Sequence, residues 1–400
     1  MQHYGVGIHC FAGGFTLGVR TVLPTVGQLE IHNFGGDTAR KAGIPFMNAD
    51  DWRGWDAYKK TWQSCTFCYG NPRCTAFSCL SAGASTKARG PTAACTQDVW
   101  DLCRFGLHAD LDVIAFESVQ QCYTVGRHLL DRLRDELFLP AHYRIAHVFV
   151  CTAAEGNAQR RKRYFFVAYR DDKNFNVSKP TLPARCTTSR DILEEPRFVN
   201  AAVREYELNG SNNVDYDANC YTALTDDEKT ALPYLQEGWN LNKLALAYNE
   251  SLSEINAHFG RLWRHRTSGL PFSLHSIARI RNDWFCPTIA STSDRLIHPI
   301  EDRPLTLGEI AAMMGWPEGH IPVGPNPVAQ IGKGVVPATA AWLTTQIRDC
   351  LDDAWGDDDF ESTYHNGEWF GTDYTHTRSH PVEKVFNMTT YLPPMEGKRC

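Results

Sequence analysis

Three short stretches carry side chains able to do covalent chemistry. The first is Gly70-Asn71-Pro72-Arg73-Cys74-Thr75-Ala76-Phe77-Ser78, a turn entered through proline that presents one cysteine among small and hydroxyl residues. A thiol attacks as its thiolate, from a rigid, partly exposed loop with cationic character nearby, and Arg73 is placed to lower the pKa of Cys74. The same stretch also suits a cysteine that is simply buried. The second is Glu117, just past the apolar run Asp112 to Phe116. A carboxylate there sits at the carboxyl edge of a sheet, where active sites gather, or is a solvated strand end. The third is Gln159-Arg160-Arg161-Lys162-Arg163, directly before Tyr164-Phe165-Phe166-Val167-Ala168. If the strand begins at Gln159, then Gln159, Arg161 and Arg163 face one side. Two guanidinium groups on one side suit a phosphate, a carboxylate or a base oxygen, and a plain basic edge has the same composition.

The elements that must position these residues follow from hydrophobic pattern and glycine punctuation. Tyr4 to Phe11 reads as a buried strand that breaks at Ala12-Gly13-Gly14 into a helix, a strand–turn–helix unit found in cofactor-binding sheets. A second strand is expected near Gln28 to Ile31, a third near Asp112 to Phe116, and a central strand over Tyr164 to Ala168. From Asp171 to Arg281 the texture turns polar and helical, and strand-and-helix punctuation returns at Pro304-Leu305-Thr306. The layout is one α/β domain interrupted by a smaller one, with a polar, aromatic tail after Gly356 that finds no place in it. Residues 241–264 read as two helices around a turn at Asn249 to Ser251, the second capped by Ser251 or Ser253. Leu244, Ala245, Ile255 and Phe259 fall on spacing suited to a helix-turn-helix core, or to an ordinary helical hairpin. Arg261, Arg264 and Arg266, with Arg279 and Arg281, supply phosphate-seeking charge.

Composition narrows the class. The 400 residues are 43% hydrophobic and 22% charged, a globular balance with no sign of disorder. No run of about 18 apolar residues marks a membrane span, and no basic–apolar leader opens the chain, so the cytoplasm is the expected compartment. Fourteen cysteines scattered from Cys10 to Cys400 suit free thiols in a reducing environment, not a disulfide scaffold. Cys65 and Cys68 with Cys74 and Cys79 have irregular spacing and no histidine close by, so no metal is expected. The net charge of -6 hides a bipolar distribution, with arginines clustered at 160–163 and 261–281 and acids at 226–228 and 357–359. Such a chain can meet phosphates with one face.

Taken together, in order and spacing, these elements resemble the DNA cytosine-5 methyltransferase family. That family carries a Pro-Cys loop, then Glu-Asn-Val, then Gln-x-Arg-x-Arg, a variable region and two closing motifs. Here the closing motifs are similar to Arg303-Pro304-Leu305-Thr306-Leu307-Gly308-Glu309, running to Gly315-Trp316-Pro317, and to Gln330-Ile331-Gly332-Lys333-Gly334-Val335-Val336-Pro337. The resemblance implies a Rossmann-like S-adenosylmethionine-dependent sheet built from residues 1–170 and 286–350. A target-recognition domain at 171–285 would be inserted, DNA would lie in the cleft between them, and 351–400 is left as a tail of unknown role. It implies Cys74 as the nucleophile toward carbon 6 of a flipped cytosine and Glu117 on the ring-nitrogen edge. Arg161 would contact the base oxygen or the loop, braced by Gln159 and Arg163. For S-adenosyl-L-methionine it implies Phe11, Gly13 and Gly14 at the methionine moiety, Glu30 at the ribose hydroxyls and Asp50 at the adenine. Gly332 and Val335 would close the pocket. Double-stranded DNA is the implied partner, with no membrane and no obligate protein partner, in a prokaryotic or phage-infected cell.

Several positions depart from the family pattern. The glycine turn is about two residues short, Arg73 stands for a second proline, Thr75 for glutamine and Ser118 for asparagine. Lys333 stands where the family has asparagine, adding a cation that either points to solvent or pairs with a donor bearing an extra carboxylate. The same residues also fit an RNA cytosine methyltransferase or a catalytically silent DNA-binding paralogue. Target site and biological role (restriction, protection or phage-style modification) are not encoded in these motifs.

Overall fold

The computed structural model describes residues 2–78, 90, 93–206, 217–247, 277–291, 293–354, 383–389 and 392–393. They fall into two compact units. The first comprises 1–156, 161–185 and 334–400, and the second 157–160 and 186–333. This moves the boundary expected at residue 286. The segment after Cys286 stays with the second unit because Cys286 donates to the Ala158 carbonyl, and Gly308 to that of Ala218.

The first unit is built on one sheet. Its strands are β1 (Gly5–Ile8), β2 (Thr25–Glu30), β3 (Phe46–Asn48), β4 (Phe67–Gly70), β5 (Val113–Ser118), β6 (Tyr143–Cys151) and β7 (Lys162–Arg170), completed by a C-terminal strand, Glu383–Met388. Their spatial order is C-terminal strand, β6, β7, β5, β4, β1, β2, β3. All neighbours are parallel except β7, which runs against both β5 and β6. The run expected as a third strand is the fifth, and the basic cluster joins its strand only from Lys162, so Gln159 lies outside it.

Alternation within the strands feeds two cores. Ile114 and Phe116 of β5 and Tyr164, Phe166 and Ala168 of β7 enter one, where Phe116 and Phe166 stack at 4.9 Å. Val113, Ala115, Phe165, Val167 and Tyr169 enter the other, with helix Pro337–Leu351 packed over them. Burial on both faces is why these strands read as unbroken apolar runs. The helix that follows the first glycine turn packs so closely on Pro337 that a Cβ at Gly18 would lie 2.1 Å from the Pro337 carbonyl oxygen. Order reverses between β1 and β4, so their carboxyl ends open a crevice at a topological switch point.

The tail that found no place in the sequence supplies the outermost strand. Glu383, at its start, is buried against Arg127, which donates from Nη2 at 2.9 and 3.1 Å, and Arg134, which donates from Nη1 at 2.9 Å. His147 Nε2 lies 3.7 Å away. Burial alone would raise the Glu383 carboxyl, yet His147 and Arg127 hold it well below the usual range.

In the second unit Leu224, Leu232, Leu235, Leu241, Leu244, Ile277 and Ile297 form a small core. Arg279, expected to seek phosphate, is instead buried at its rim. It donates to the carbonyls of Leu232, Leu235, His298 and Glu301 and pairs with Asp302. Loop carbonyls without strand partners need such a multi-point donor, and a buried guanidinium meets that need. Arg281 is half-exposed, paired with Asp283 at 3.0 Å and set over the Trp284 ring. Helix Leu241–Ala247 is the described part of the expected two-helix motif. Its turn, its second helix and Arg261, Arg264 and Arg266 lie outside the described residues.

Glu383→Ala is expected to destabilise the chain by about 1.5–3 kcal/mol, because it removes a buried acceptor shared by two guanidinium groups that keep Asp131 and Asp135 as partners. The carboxyl is depressed in the folded state, so its stabilisation is full above the unfolded carboxylate pKa near ~4.3 and lost as pH falls below it. Urea unfolding of wild type and variant at neutral and acidic pH checks this: the gap must narrow toward acid.

Candidate active site

Register aligns the strand ends that carry the candidate residues. Ile8 pairs with Gly70, and Gly70 with Phe116, so β1 and β4 end at one level and β5 runs on through Glu117 and Ser118. After β1 come His9 and Phe11, both left-handed (φ 54° and 53°), then Gly13 at φ 94°. A Cβ on Gly13 would also lie 2.6 Å from Ile44. Helix Gly14–Val19 begins at once, so Gly14 is its first residue. The Phe11 amide donates to Glu30 Oε1 at 3.0 Å, tying the turn to the end of β2.

Glu30 is fully buried, and burial raises its carboxyl well above the ordinary range. Its Oε2 has no hydrogen-bond partner and lies 3.9 Å from His9 Nδ1. Burial lowers His9 to about 4, so its ring is neutral at neutral pH. An orphaned acceptor beside a cramped glycine turn fits the ribose and methionine parts of the donor implied by the resemblance. Asp50 is exposed just after β3, and Asp51 beside it caps the following turn through the Arg53 and Gly54 amides.

After β4 the chain enters the cysteine loop. The Cys74 carbonyl accepts from the Phe77 and Ser78 amides at 3.0 and 3.1 Å, and Ala76 and Phe77 are buried in the core. Among the described cysteines only Cys74 and Cys95 are not buried. Arg73 does not serve Cys74 as expected. Its guanidinium is held by Asp98, Nε to Oδ2 at 2.6 Å and Nη2 to Oδ1 at 2.7 Å, so its charge is already neutralised. The cations that do act on Cys74 are Arg163 and Arg161.

Glu117, Arg163 and Arg161 converge with that thiol. Arg163 Nε stands 2.7 Å from Glu117 Oε1. Arg161 is buried, donating from Nη2 to the Gly334 carbonyl at 3.0 Å. Burial, with Arg163 beside it, pushes its guanidinium down to about 9, so it stays charged at neutral pH. Burial raises Glu117 above the ordinary carboxyl range, and Arg163 and Arg161 oppose the shift. Burial, then Glu117, pushes the Cys74 thiol up, and the two arginines pull it down.

The remaining expected residues have other placements. Gln159 belongs to the second unit, where its side chain donates to the Met313 carbonyl at 2.9 Å and accepts from the Ile289 amide at 2.8 Å. There it joins Ile289 to Met313. Gly332 lies so close to Ala290 that a Cβ would sit 2.2 Å from the Ala290 carbonyl carbon. Lys333 is an exposed helix C-cap, a position where a cation complements the helix dipole. Val335 is buried in the sheet core of the first unit. Two residues escaped sequence reasoning, His9 and Asp98. Asp98 carried a signal, an acid in the first turn of the amphipathic helix Gln97–His108.

A family model described as C-5 cytosine-specific DNA methylase matches residues 12–349. Among solved structures, the chain is similar to a protein described as a DNA modification methyltransferase encoded within a prophage (E. coli). The TM-score is 0.61 at 16% identity, over 88% of this chain and 100% of that one. It is also similar to a triple mutant of Spodoptera frugiperda DNMT2, with TM-score 0.50 and 12% identity over 87% and 100% of the two chains. No curated protein sequence matches the chain.

Alkylation of Cys74 by iodoacetamide, followed by mass spectrometry, is expected to be slow at neutral pH. Its midpoint should lie above the ~8.5 of a free thiol. Arg163→Ala should move that midpoint higher still, since it removes a cation that favours the thiolate. A midpoint at or below the free-thiol value contradicts the upward shift from desolvation and Glu117.

Proposed function

Because the chain belongs to the C-5 cytosine-specific DNA methylase family, and is on that ground a DNA cytosine-5 methyltransferase, we propose that it works through a covalent adduct between Cys74 and a flipped cytosine. The observation that carries this reading is the convergence of Cys74, Glu117, Arg161 and Arg163 where β4 and β5 end. Carbon 6 of cytosine is stacked inside a duplex, so the base must leave the helix to meet a thiol fixed in a protein loop.

Each residue has a task that its surroundings support. Cys74 forms a bond to carbon 6, which makes carbon 5 an enamine-like nucleophile, while Glu117, its pKa raised by burial, hydrogen-bonds the ring-nitrogen edge and favours that addition. Arg163 orients Glu117, and Arg161, anchored on Gly334, faces the same space and favours the thiolate over the thiol. Phe11, Gly13, Gly14 and Glu30 would hold S-adenosylmethionine, with Asp50 at its adenine and Gly332, Lys333 and Val335 in the closing motif. When bound, that donor supplies a methyl group activated by a sulfonium. Loss of the carbon 5 proton and expulsion of Cys74 then restore the aromatic ring. Selectivity for the target sequence is assigned to the second unit, where half-exposed Arg281 is a phosphate candidate together with Arg261, Arg264 and Arg266.

The test is transfer of label from S-adenosylmethionine to carbon 5 of cytosine in mixed-sequence duplex DNA. Cys74→Ser is expected to abolish it, a loss on the order of 10⁴-fold or more. Glu117→Gln should slow it by about 10²–10⁴-fold. Label on RNA in preference to duplex would favour an RNA methyltransferase. Duplex binding without label would point to a carboxylate-bearing donor at Lys333 or to a silent paralogue.

A further inference from the structure

Cys74 lies between two anchors of unlike chemistry. On its carboxyl side Phe77 is buried in the core and its amide returns to the Cys74 carbonyl. On its amino side Arg73 is only half-buried, yet its guanidinium meets Asp98 in a two-point fork. The Asp98 side chain is 3% exposed, and one oxygen also lies within 3.4 Å of the Arg73 amide. Burial would raise the Asp98 carboxyl, but Arg73 holds it below the ordinary range, so the pair is ionic. His32 approaches the same carboxylate, Nε2 to Oδ1, at 3.8 Å.

Asp98 sits in the first turn of helix Gln97–His108, whose Val99, Leu102, Cys103 and Phe105 are buried in the core. It is therefore fixed to the rigid body of the sheet, and a bidentate fork fixes both position and plane of the guanidinium. A loop residue held at both side chain and amide passes its placement to the next Cα, about 3.8 Å along the chain.

We infer that Asp98 is a positioning residue for the nucleophile, acting through Arg73 to set where the Cys74 thiol lies. The inference rests on the assignment of Cys74 as nucleophile made above. The action is geometric, because the charge of Arg73 is cancelled by Asp98 and does not reach the thiol.

The experiment uses the full chain, S-adenosylmethionine and duplex DNA whose cytosines carry fluorine at carbon 5, which arrests the reaction at the covalent adduct. Adduct rate, final adduct yield, duplex affinity and the pH midpoint of Cys74 alkylation are measured for wild type, Asp98→Asn, Arg73→Ala and Arg73→Lys. Asp98→Asn and Arg73→Ala should slow adduct formation by on the order of 10–100-fold, the penalty of an ångström-scale misplacement. Final yield and duplex affinity should stay at wild-type values, and the charge-preserving Arg73→Lys should keep the wild-type alkylation midpoint while recovering only part of the rate, having the charge without the fork. Wild-type adduct rates in the variants overturn the inference, as does a loss of rate matched by an equal loss of yield, which reports unfolding. A shifted alkylation midpoint in Arg73→Lys also overturns it, since that would make its loss of rate electrostatic. If Asp98→Asn and Arg73→Ala do not fold, Arg73→Lys and Asp98→Glu decide by the same criteria. No adduct from wild type, or an adduct from Cys74→Ser, removes the nucleophile assignment and this inference with it.

Discussion

β7 runs against its neighbours, and the rest of the site depends on that reversal. Seven strands of the sheet send their carboxyl ends to one edge, whereas β7 begins there and brings its amino-terminal arginines with it. Glu117 is the penultimate residue of β5 and Arg163 the second of β7, so a carboxylate and a guanidinium from opposite chain directions meet at 2.7 Å. A parallel strand in the same slot would carry those arginines to the far edge. The electrostatics follow: desolvation raises the carboxyl of Glu117 and the thiol of Cys74, and two cations oppose both shifts.

The two halves of the crevice use different means to hold their loops. Beside β1 the backbone itself is bent, with two left-handed residues and a glycine tied to Glu30 by a single amide. Beside β4 the backbone is held by side chains, Phe77 in oil and Arg73 in an ionic fork. The first arrangement leaves one Glu30 oxygen without a hydrogen-bond partner, and the second leaves Cys74 partly exposed.

Residues at the ends of strong apolar runs were legible, because the run itself locates the sheet edge. Glu117 follows Val113 to Phe116, and Arg163 precedes Tyr164, so strand ends and chemistry were read in one stroke. Arginines in polar text were not legible. Arg279 and Arg281 look alike in sequence, yet one is walled in by carbonyls and the other stands half in solvent. The partner of a guanidinium is chosen by tertiary folding, and no local pattern announces it. The same holds for Asp98, for the boundary at residue 286, and for Glu383-Lys384-Val385-Phe386-Asn387-Met388, a short run after a polar tail. Its pairing partner lies far back in the chain, in β6.

That long-range pairing has a consequence during synthesis. β6 leaves the ribosome well before residue 383, and until then one of its edges has no neighbour. Bare, apolar strand edges are templates for other chains. Long-range contacts of this kind are also slow to form. A nascent or prematurely terminated chain therefore exposes an adhesive margin that the finished protein covers, and yield in expression should be limited by that interval more than by the stability of the completed fold.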